Sequence, residues 1–511
     1  MVCPGVCPAL GWDAPTRYDC PVQTSLDSAN LSTRSPAAAF ASMPTSPNFL
    51  HVSLASRLMD EIEHGLWAAG QRLPSVREMS RRCAVSVTTV LAAYRALEDR
   101  QAIESRPQKG FYVRAGAAGC AALPRAPAAI VDAEISHAAL NRIDDAAHVV
   151  SFGTALCEKD LFPVGALSRS IASAARRHGE LLTEVSFSSG SKHLRDSLAL
   201  HARTWNCSLA TDDILVTNGC IEAFGLCLQA VAQAGDVIVV ESPAYYGFLS
   251  TIAQLGMLAI ALPFHSDPAR ALAEIERLAG RRRIGACLMS TNVSNPNGAS
   301  MDDEMKRELV EALERLQIPL IEDATFSDLH FQATQRAAKS YDRNGNVLLC
   351  SSLTKTLAPG LRVGWVSGGR HHERLVSVKR TMSVGQPLLI QEAIGDYLAA
   401  GGYQHHLRQL RNQCRLQVAE TLAQVQSMFG PGTEVSMPSG GYLLWIRLPG
   451  EVSAMALYRR ALDEGITIAP GTLFSPTGAF SDYVRVNCGF RMTSRRSDAL
   501  ARLGQMVREL K

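Results

Sequence analysis

From about Val149 to Lys511 the chain alternates strand-like and helix-like stretches, and this alternation constrains its fold more than any other feature. DILVTNG leads into a helical pattern through Leu228 and Val231, and DVIVVESPAYYG, ACLMSTNVSNPNG and PLIEDATF follow in turn. Strand–helix–strand alternation on this scale predicts an α/β domain whose mostly parallel sheet is covered by helices. Ligands in such folds bind outside the carboxyl ends of the strands, where Gly, Asn, Asp and Ser are found here.

That domain leaves room for another. The chain has 511 residues, against about 100–200 for a typical domain, so a single small binding module is excluded. Hydrophobic residues make up 47% and charged residues 19%, which excludes wholesale disorder. No stretch reaches the roughly 18 uninterrupted apolar residues of a membrane span. The N-terminus is rich in Pro, Ser, Thr and Ala and does not read as a secretory signal, so the expected location is cytoplasmic, away from membranes. Thirteen cysteines, an odd number thinly spread, do not form a disulfide framework. Cys3 and Cys7 lack a second Cys/His pair nearby to complete a tetrahedral site, and no metal is expected.

Four segments follow from composition and pattern: an extension at 1–47 expected to be disordered, a compact unit at 48–114, an Ala/Gly/Pro-rich linker at 115–148, and the large domain at 149–511. Between His51 and Arg114 there are ten Lys and Arg against seven Asp and Glu, so the whole net charge of +3 sits in the compact unit. There Leu54, Leu58 and Ile62 mark a first helix, and Pro74 and Ser75 open a second with Val76, Met79 and Cys83 on one face. Ser86 caps a third helix in which Val90, Ala93, Tyr94 and Leu97 turn inward. AIESRPQKGFYV then reads as a hairpin with a Lys109–Gly110 turn. Three helices and a hairpin make the order of a winged helix-turn-helix, whose third helix enters the major groove of DNA. Arg77, Ser86, Thr88, Thr89, Arg106, Lys109 and Gly110 are the candidate DNA contacts, at the second helix, the start of the recognition helix and the wing tip. The run GLWAAGQRLPSVREMSRRCAVSVTTVLAAYRALEDRQAIESRPQKGFYV resembles the GntR family of transcription regulators over nearly its full length. Many members carry Arg where this chain has Val87.

In the large domain, SSLTKTLAPGLRVGW places Lys355 three residues after Ser352 and seven before Arg362. A lysine among apolar neighbours and a nearby cation can lose its proton and attack an aldehyde, while a hydroxyl and a guanidinium on the same loop can hold a phosphate. Pyridoxal 5'-phosphate requires these groups together with an acid for its ring nitrogen, and Asp323 ends a buried-type strand. The backbone amides of Gly219, Cys220 and Ile221 open a helix and offer an anion site.

Taken in order, NGCIEA, ESPAYYG, SNPNG, EDATF, SSLTKTLAPGLRVGW and YVRVN resemble the fold type I pyridoxal-phosphate enzymes, the aspartate aminotransferase superfamily. The resemblance implies that Tyr245 stacks on the cofactor ring, Asn295 bonds its 3-oxygen and Asp323 pairs with its nitrogen. Lys355 would be the catalytic Schiff-base residue, Ser352 and Arg362 would hold the phosphate, and Arg485 would clamp a substrate carboxylate. Two positions depart from the pattern: Phe326 and Phe187 stand where many relatives have tyrosine, which puts efficient transamination in doubt.

A GntR-type reader joined to an aminotransferase-like domain is the architecture of the MocR subfamily of bacterial regulators. The resemblance implies a homodimer on a double-stranded DNA operator, with the large domain sensing pyridoxal phosphate or a small amino compound through an aldimine on Lys355. The alternative expectation is an active aminotransferase acting on an amino acid.

Overall fold

The computed structural model describes residues 51–114, apart from 52–53, 56–57, 60–61, 63–66, 68–69, 84 and 107–108, and residues 149–511, apart from 188 and 333–334. The extension with Cys3 and Cys7, and the linker at 115–148, lie outside the described residues. The chain divides into two compact units, Met1–Leu123 and Pro124–Lys511.

In the small unit, the described residues Leu54, Leu58 and Ile62 are helical and buried. They pack on α1 (Val76–Cys83) through Met79 and Cys83 and on α2 (Val87–Asp99) through Val90, Ala93, Tyr94 and Leu97. Each large apolar side chain so buried contributes about 1.5–3 kcal/mol. Tyr94 also donates its hydroxyl to the Pro74 carbonyl (2.9 Å), which ties α2 to the chain entering α1. Ser86 caps α2 by accepting from the Thr89 amide (3.1 Å). β1 (Ile103–Arg106) and β2 (Gly110–Val113) pair antiparallel, and Arg72 adds a bridge to Tyr112 on the outer side of the hairpin.

The large unit is built on a seven-stranded sheet of β3 (Ile214–Thr217), β4 (Val237–Glu241), β5 (Leu258–Leu262), β6 (Ile284–Met289), β7 (Leu320–Asp323), β8 (Val347–Ser352) and β9 (Gly364–Ser367). Their spatial order is β3-β9-β8-β7-β6-β4-β5. Alternate residues of β4 enter different cores. Ile238 and Val240 join the helix Cys220–Val231, whereas Val237 and Val239 join the helices Pro268–Ala279 and Asp303–Arg315. Burial on both faces is why these strands read as unbroken apolar runs.

The sheet is parallel except for β9, which runs antiparallel to both β3 and β8. The predicted alternation does not extend to the chain end. Beyond Ser367 come helices, including one of 27 residues (Gly402–Met428), and then a separate four-stranded antiparallel sheet. Its strands are β10 (Glu434–Val435), β11 (Leu443–Arg447), β12 (Ala469–Pro470) and β13 (Tyr483–Asn487), in the order β10-β11-β13-β12. Leu444, Ile446, Val484 and Val486 of that sheet form a second core with the final helix Ser494–Glu509.

Candidate active site

One edge of the large sheet gathers the carboxyl ends of its parallel strands, and the antiparallel β9 begins at the same edge because Gly364 pairs with both Ser352 and Thr217. Five segments of the sequence therefore deliver their motifs to one place, and YVRVN comes from the other sheet. Gly219 leaves β3 with φ +79° and opens the helix Cys220–Val231, and a Cβ at Gly364 would come within 2.5 Å of the Gly219 backbone. Only glycine permits so close an approach.

Arg362 arches over that helix start. Its Nη2 donates to the Asn218 carbonyl (3.4 Å), and a Cβ on Gly219 would lie 2.7 Å from the same nitrogen. An exposed guanidinium thus stands over the amides of Gly219, Cys220 and Ile221 at a helix N-terminus, where partial positive charge favours an anion. Ser352, at the end of β8, shares a 2.7 Å hydrogen bond with Thr354.

Asp323 ends β7 beneath this group. Its Oδ1 accepts from the Thr325 amide (2.8 Å) and lies 3.9 Å from Cys220 Sγ, and its Oδ2 lies 3.5 Å from Ser290 Oγ. Burial raises its carboxyl to about 6 against these hydrogen bonds. A carboxylate in that condition is stabilised by any cation brought to it. Tyr245 lies against Tyr246 and Phe248, with ring centroids 4.7 and 5.4 Å away, and burial holds its phenol protonated. Ile221 reaches the same neighbourhood, since its Cδ1 would be 3.0 Å from a Cβ on Gly247 while the Tyr245 ring would be 2.4 Å from it.

Lys355 donates from Nζ to the Ala155 carbonyl (2.7 Å). Burial lowers its amine to about 8, assisted by the positive charges of Arg485 and Arg362. Arg485 comes from β13 in the other sheet, paired with Trp445 and Ala469, and is 0% exposed. Its Nη1 donates to Asn295 Oδ1 (3.0 Å) and its Nη2 to the Gly153 carbonyl, with the Phe474 ring 5.2 Å away. Its Nε is buried without a hydrogen-bond partner. A fully buried arginine whose Nε–H is unused, and which forms no ion pair with a carboxylate among the described residues, is a waiting anion site.

These residues fit pyridoxal phosphate: a depressed amine, a buried acid, an anion cradle and an unsatisfied guanidinium converge from different elements. Phe326 is buried edge-on to Tyr442 (centroids 5.4 Å, interplanar angle 60°) and offers no hydroxyl. Phe187 is 65% exposed, beside the exposed Val185 and Leu182 on the same segment. Sequence reasoning missed Gly153 and Ala155, whose carbonyls receive Arg485 and Lys355, and also Ser290 and Tyr442. Backbone acceptors carry no side-chain signal, so only the folding of residues 152–157 across the site reveals them.

In the small unit, Arg77, Arg81, Arg95, Thr88, Arg106 and Lys109 are exposed. Lys109 closes the wing by donating its amide to the Arg106 carbonyl (3.0 Å), and Gly110 follows with φ +100°. Thr89 is partly buried, and the Ser86 hydroxyl is engaged with Thr88 and Thr89 as well as with the cap. The Arg106 side chain stacks over Tyr112 at 4.4 Å and pairs with Glu104 (2.7 Å). Val87 is 48% exposed at the first turn of α2.

Among the described residues no helix is long and apolar enough to cross a membrane, and no group of His, Cys, Asp and Glu is placed to hold a metal ion. Comparison with known proteins matches residues 162–502 to aminotransferase class I and II and residues 50–113 to the gntR family of bacterial regulatory proteins. The chain is 32% identical to the uncharacterized HTH-type transcriptional regulator YdcR of Escherichia coli, over 89% of this chain and 98% of that protein. It is 29% identical, with the same coverage, to YjiR of that organism, also named an uncharacterized HTH-type transcriptional regulator. Among solved structures, the multiple substrate aminotransferase of Thermococcus profundus superposes with a TM-score of 0.67 at 20% identity, covering 72% of this chain and 93% of that one. The α-aminoadipate aminotransferase LysN of Thermus thermophilus gives 0.66 at 22% identity, covering 74% and 98%. At that identity the likeness is one of fold.

Proposed function

The chain belongs to the aminotransferase class I and II family, joined to a GntR-family regulatory domain in the architecture of the MocR subfamily, and from that premise we propose that it is a pyridoxal-phosphate-dependent DNA-binding transcription regulator. The observation that carries this reading is the pairing of a basic winged helix with a buried cofactor constellation on one chain. When bound, the cofactor would supply an electron sink and an aldehyde carbon. The chain's own residues do the rest. Lys355 offers an amine whose depressed pKa leaves about a tenth of it neutral near pH 7. Asp323 offers its charge to a ring nitrogen, Arg362 and the amides of Gly219, Cys220 and Ile221 hold a phosphate, and Tyr245 covers a ring face. Arg485 presents its spare Nε to the carboxylate of an amino compound, held in place by Asn295 and Gly153.

An effector at this site would bias the large unit between conformations, and the segment 115–148 would pass that bias to the reader. The expected assembly is a homodimer on two operator half-sites, in the cytoplasm. The test is the visible absorption of the purified chain with added pyridoxal phosphate, for wild type and Lys355→Ala, together with operator binding with and without the cofactor. A lysine-dependent band and a lysine-dependent change in DNA affinity are expected. If Lys355→Ala leaves both unchanged, this reading is wrong. The spare donor of Arg485 also favours a second reading, an aminotransferase acting on an amino acid. Turnover at about one per second or faster would support it.

A further inference from the structure

Lys355 is not alone at the Ala155 carbonyl. The Tyr442 hydroxyl donates to the same oxygen at 3.1 Å, while Lys355 Nζ donates at 2.7 Å. Two donors converge on one acceptor, so a phenol shares the oxygen bonded by the amine on which the proposed function rests. The placement of Tyr442 is built. The Gly441 amide donates to the Leu329 carbonyl (2.9 Å), and the Cys488 amide donates to the carbonyl of Tyr442 itself (2.7 Å). Gly440 is required there because a Cβ would lie 2.5 Å from the Leu329 carbonyl oxygen. The Phe326 ring closes on the Tyr442 ring from the side and brings no polar group.

We propose that Tyr442 is a positioning residue that raises the share of Lys355 in its nucleophilic, neutral form, acting through the Ala155 carbonyl that both side chains bond. The reason is electrostatic. A phenol donating to that oxygen turns the positive end of its O–H dipole toward the region of the lysine nitrogen and takes part of the carbonyl's hydrogen-bonding capacity. An ammonium needs more of that capacity than a neutral amine does, so sharing disfavours the charged form.

The other charged or titratable groups bearing on this pair are Arg485, Arg362, Asp323 and Cys157, with Cys414 also bearing on Tyr442. Cys157, which hydrogen-bonds Tyr442, works against the arginines on Lys355 although burial pushes its thiol up, and burial likewise holds the Tyr442 phenol protonated. The two arginines act in the same direction as Tyr442. Asp323 opposes them from the floor of the site.

This inference rests on Lys355 being the residue that takes up pyridoxal phosphate. The test follows, in the full-length chain freed of cofactor, the rate at which added pyridoxal phosphate develops its Lys355-dependent absorption band across a pH series. Wild type, Lys355→Ala and Tyr442→Phe are compared. Tyr442→Phe is expected to retain the band but to shift the midpoint of the rate profile upward by about half a unit or more, which is about a threefold slower capture at neutral pH. A retained band with an unshifted profile overturns the inference and leaves the proposed function standing. Absence of a lysine-dependent band in wild type overturns both. Should Tyr442→Phe not fold, Phe326→Tyr is compared with Phe326→Tyr/Tyr442→Phe, where the added hydroxyl sits on the neighbouring ring. Loss of the Tyr442 hydroxyl should again move the midpoint upward, and an unshifted midpoint again overturns the inference.

Discussion

The two units place their charges in opposite ways. In the small unit the described core is apolar, built from residues such as Val90, Tyr94 and Leu97, and the arginines and Lys109 stand on the surface. In the large unit the polar groups of the candidate site are buried: Arg485, Asp323 and Asn295 are 0%, 6% and 5% exposed. The difference teaches how function is coupled to stability. A reader of phosphates needs long, solvated cations, which leave the core free to be a core. A cofactor site needs a dry interior in which charges act strongly, and those charges must then be held by backbone acceptors and neighbouring side chains.

The comparison breaks most visibly at Arg485. Replacing it with methionine keeps the volume near its own but leaves Asn295 Oδ1 and the Gly153 carbonyl without a donor. A loss of about 2–4 kcal/mol in unfolding free energy is expected by urea denaturation, together with loss of any response to amino carboxylates. A change within about 0.5 kcal/mol would mean that the buried charge itself costs as much as its hydrogen bonds contribute.

Asp323 gives a smaller, pH-dependent effect. Its carboxyl in the folded chain stands at about 6, above the ordinary carboxylate value near 3.9. Stability linked to this group is therefore present below about pH 4 and lost as the pH rises through 6, by about 3 kcal/mol at most. Cofactor-free Asp323→Asn should lack that loss. Its unfolding free energy should change less than that of wild type between pH 4 and pH 7, and an equal change in both chains would contradict the assignment.

At the surface of the small unit the expected stability effect is smallest. Arg77→Ala and Lys109→Ala should each weaken operator binding about uniformly across sequences and reduce the salt dependence by about one unit of slope. Both should leave the unfolding midpoint nearly unchanged. A large stability loss from either would show that these side chains belong to the fold rather than to the interface.

Much of this was legible in the sequence because local chemistry dictates it. The inward stripe of α2, its Ser86 cap and the Lys109–Gly110 turn follow from helical periodicity, capping preference and turn requirements within a few residues of each other. Asp323 and Ser352 stood out in the sequence because each ends a buried strand, and Lys355 and Arg362 because they lie on the loop that joins two such strands. Arg485 was found by its strand, YVRVN, although that strand lies in a separate antiparallel sheet which the alternation pattern did not predict. Alternation describes neighbours along the chain and does not say where a new sheet begins.

The sequence by itself determined two domains, the parallel sheet and the residue types of the site, because burial and turn geometry act over short spans of chain. Tertiary structure alone decided that residues 153–155 supply the carbonyls for Arg485 and Lys355, and that Tyr442 shares one of them. Those partners are separated by roughly 200–330 positions along the chain, and a main-chain oxygen is the same in every residue. No pattern of side chains could have selected them, and only the tertiary fold brought them together.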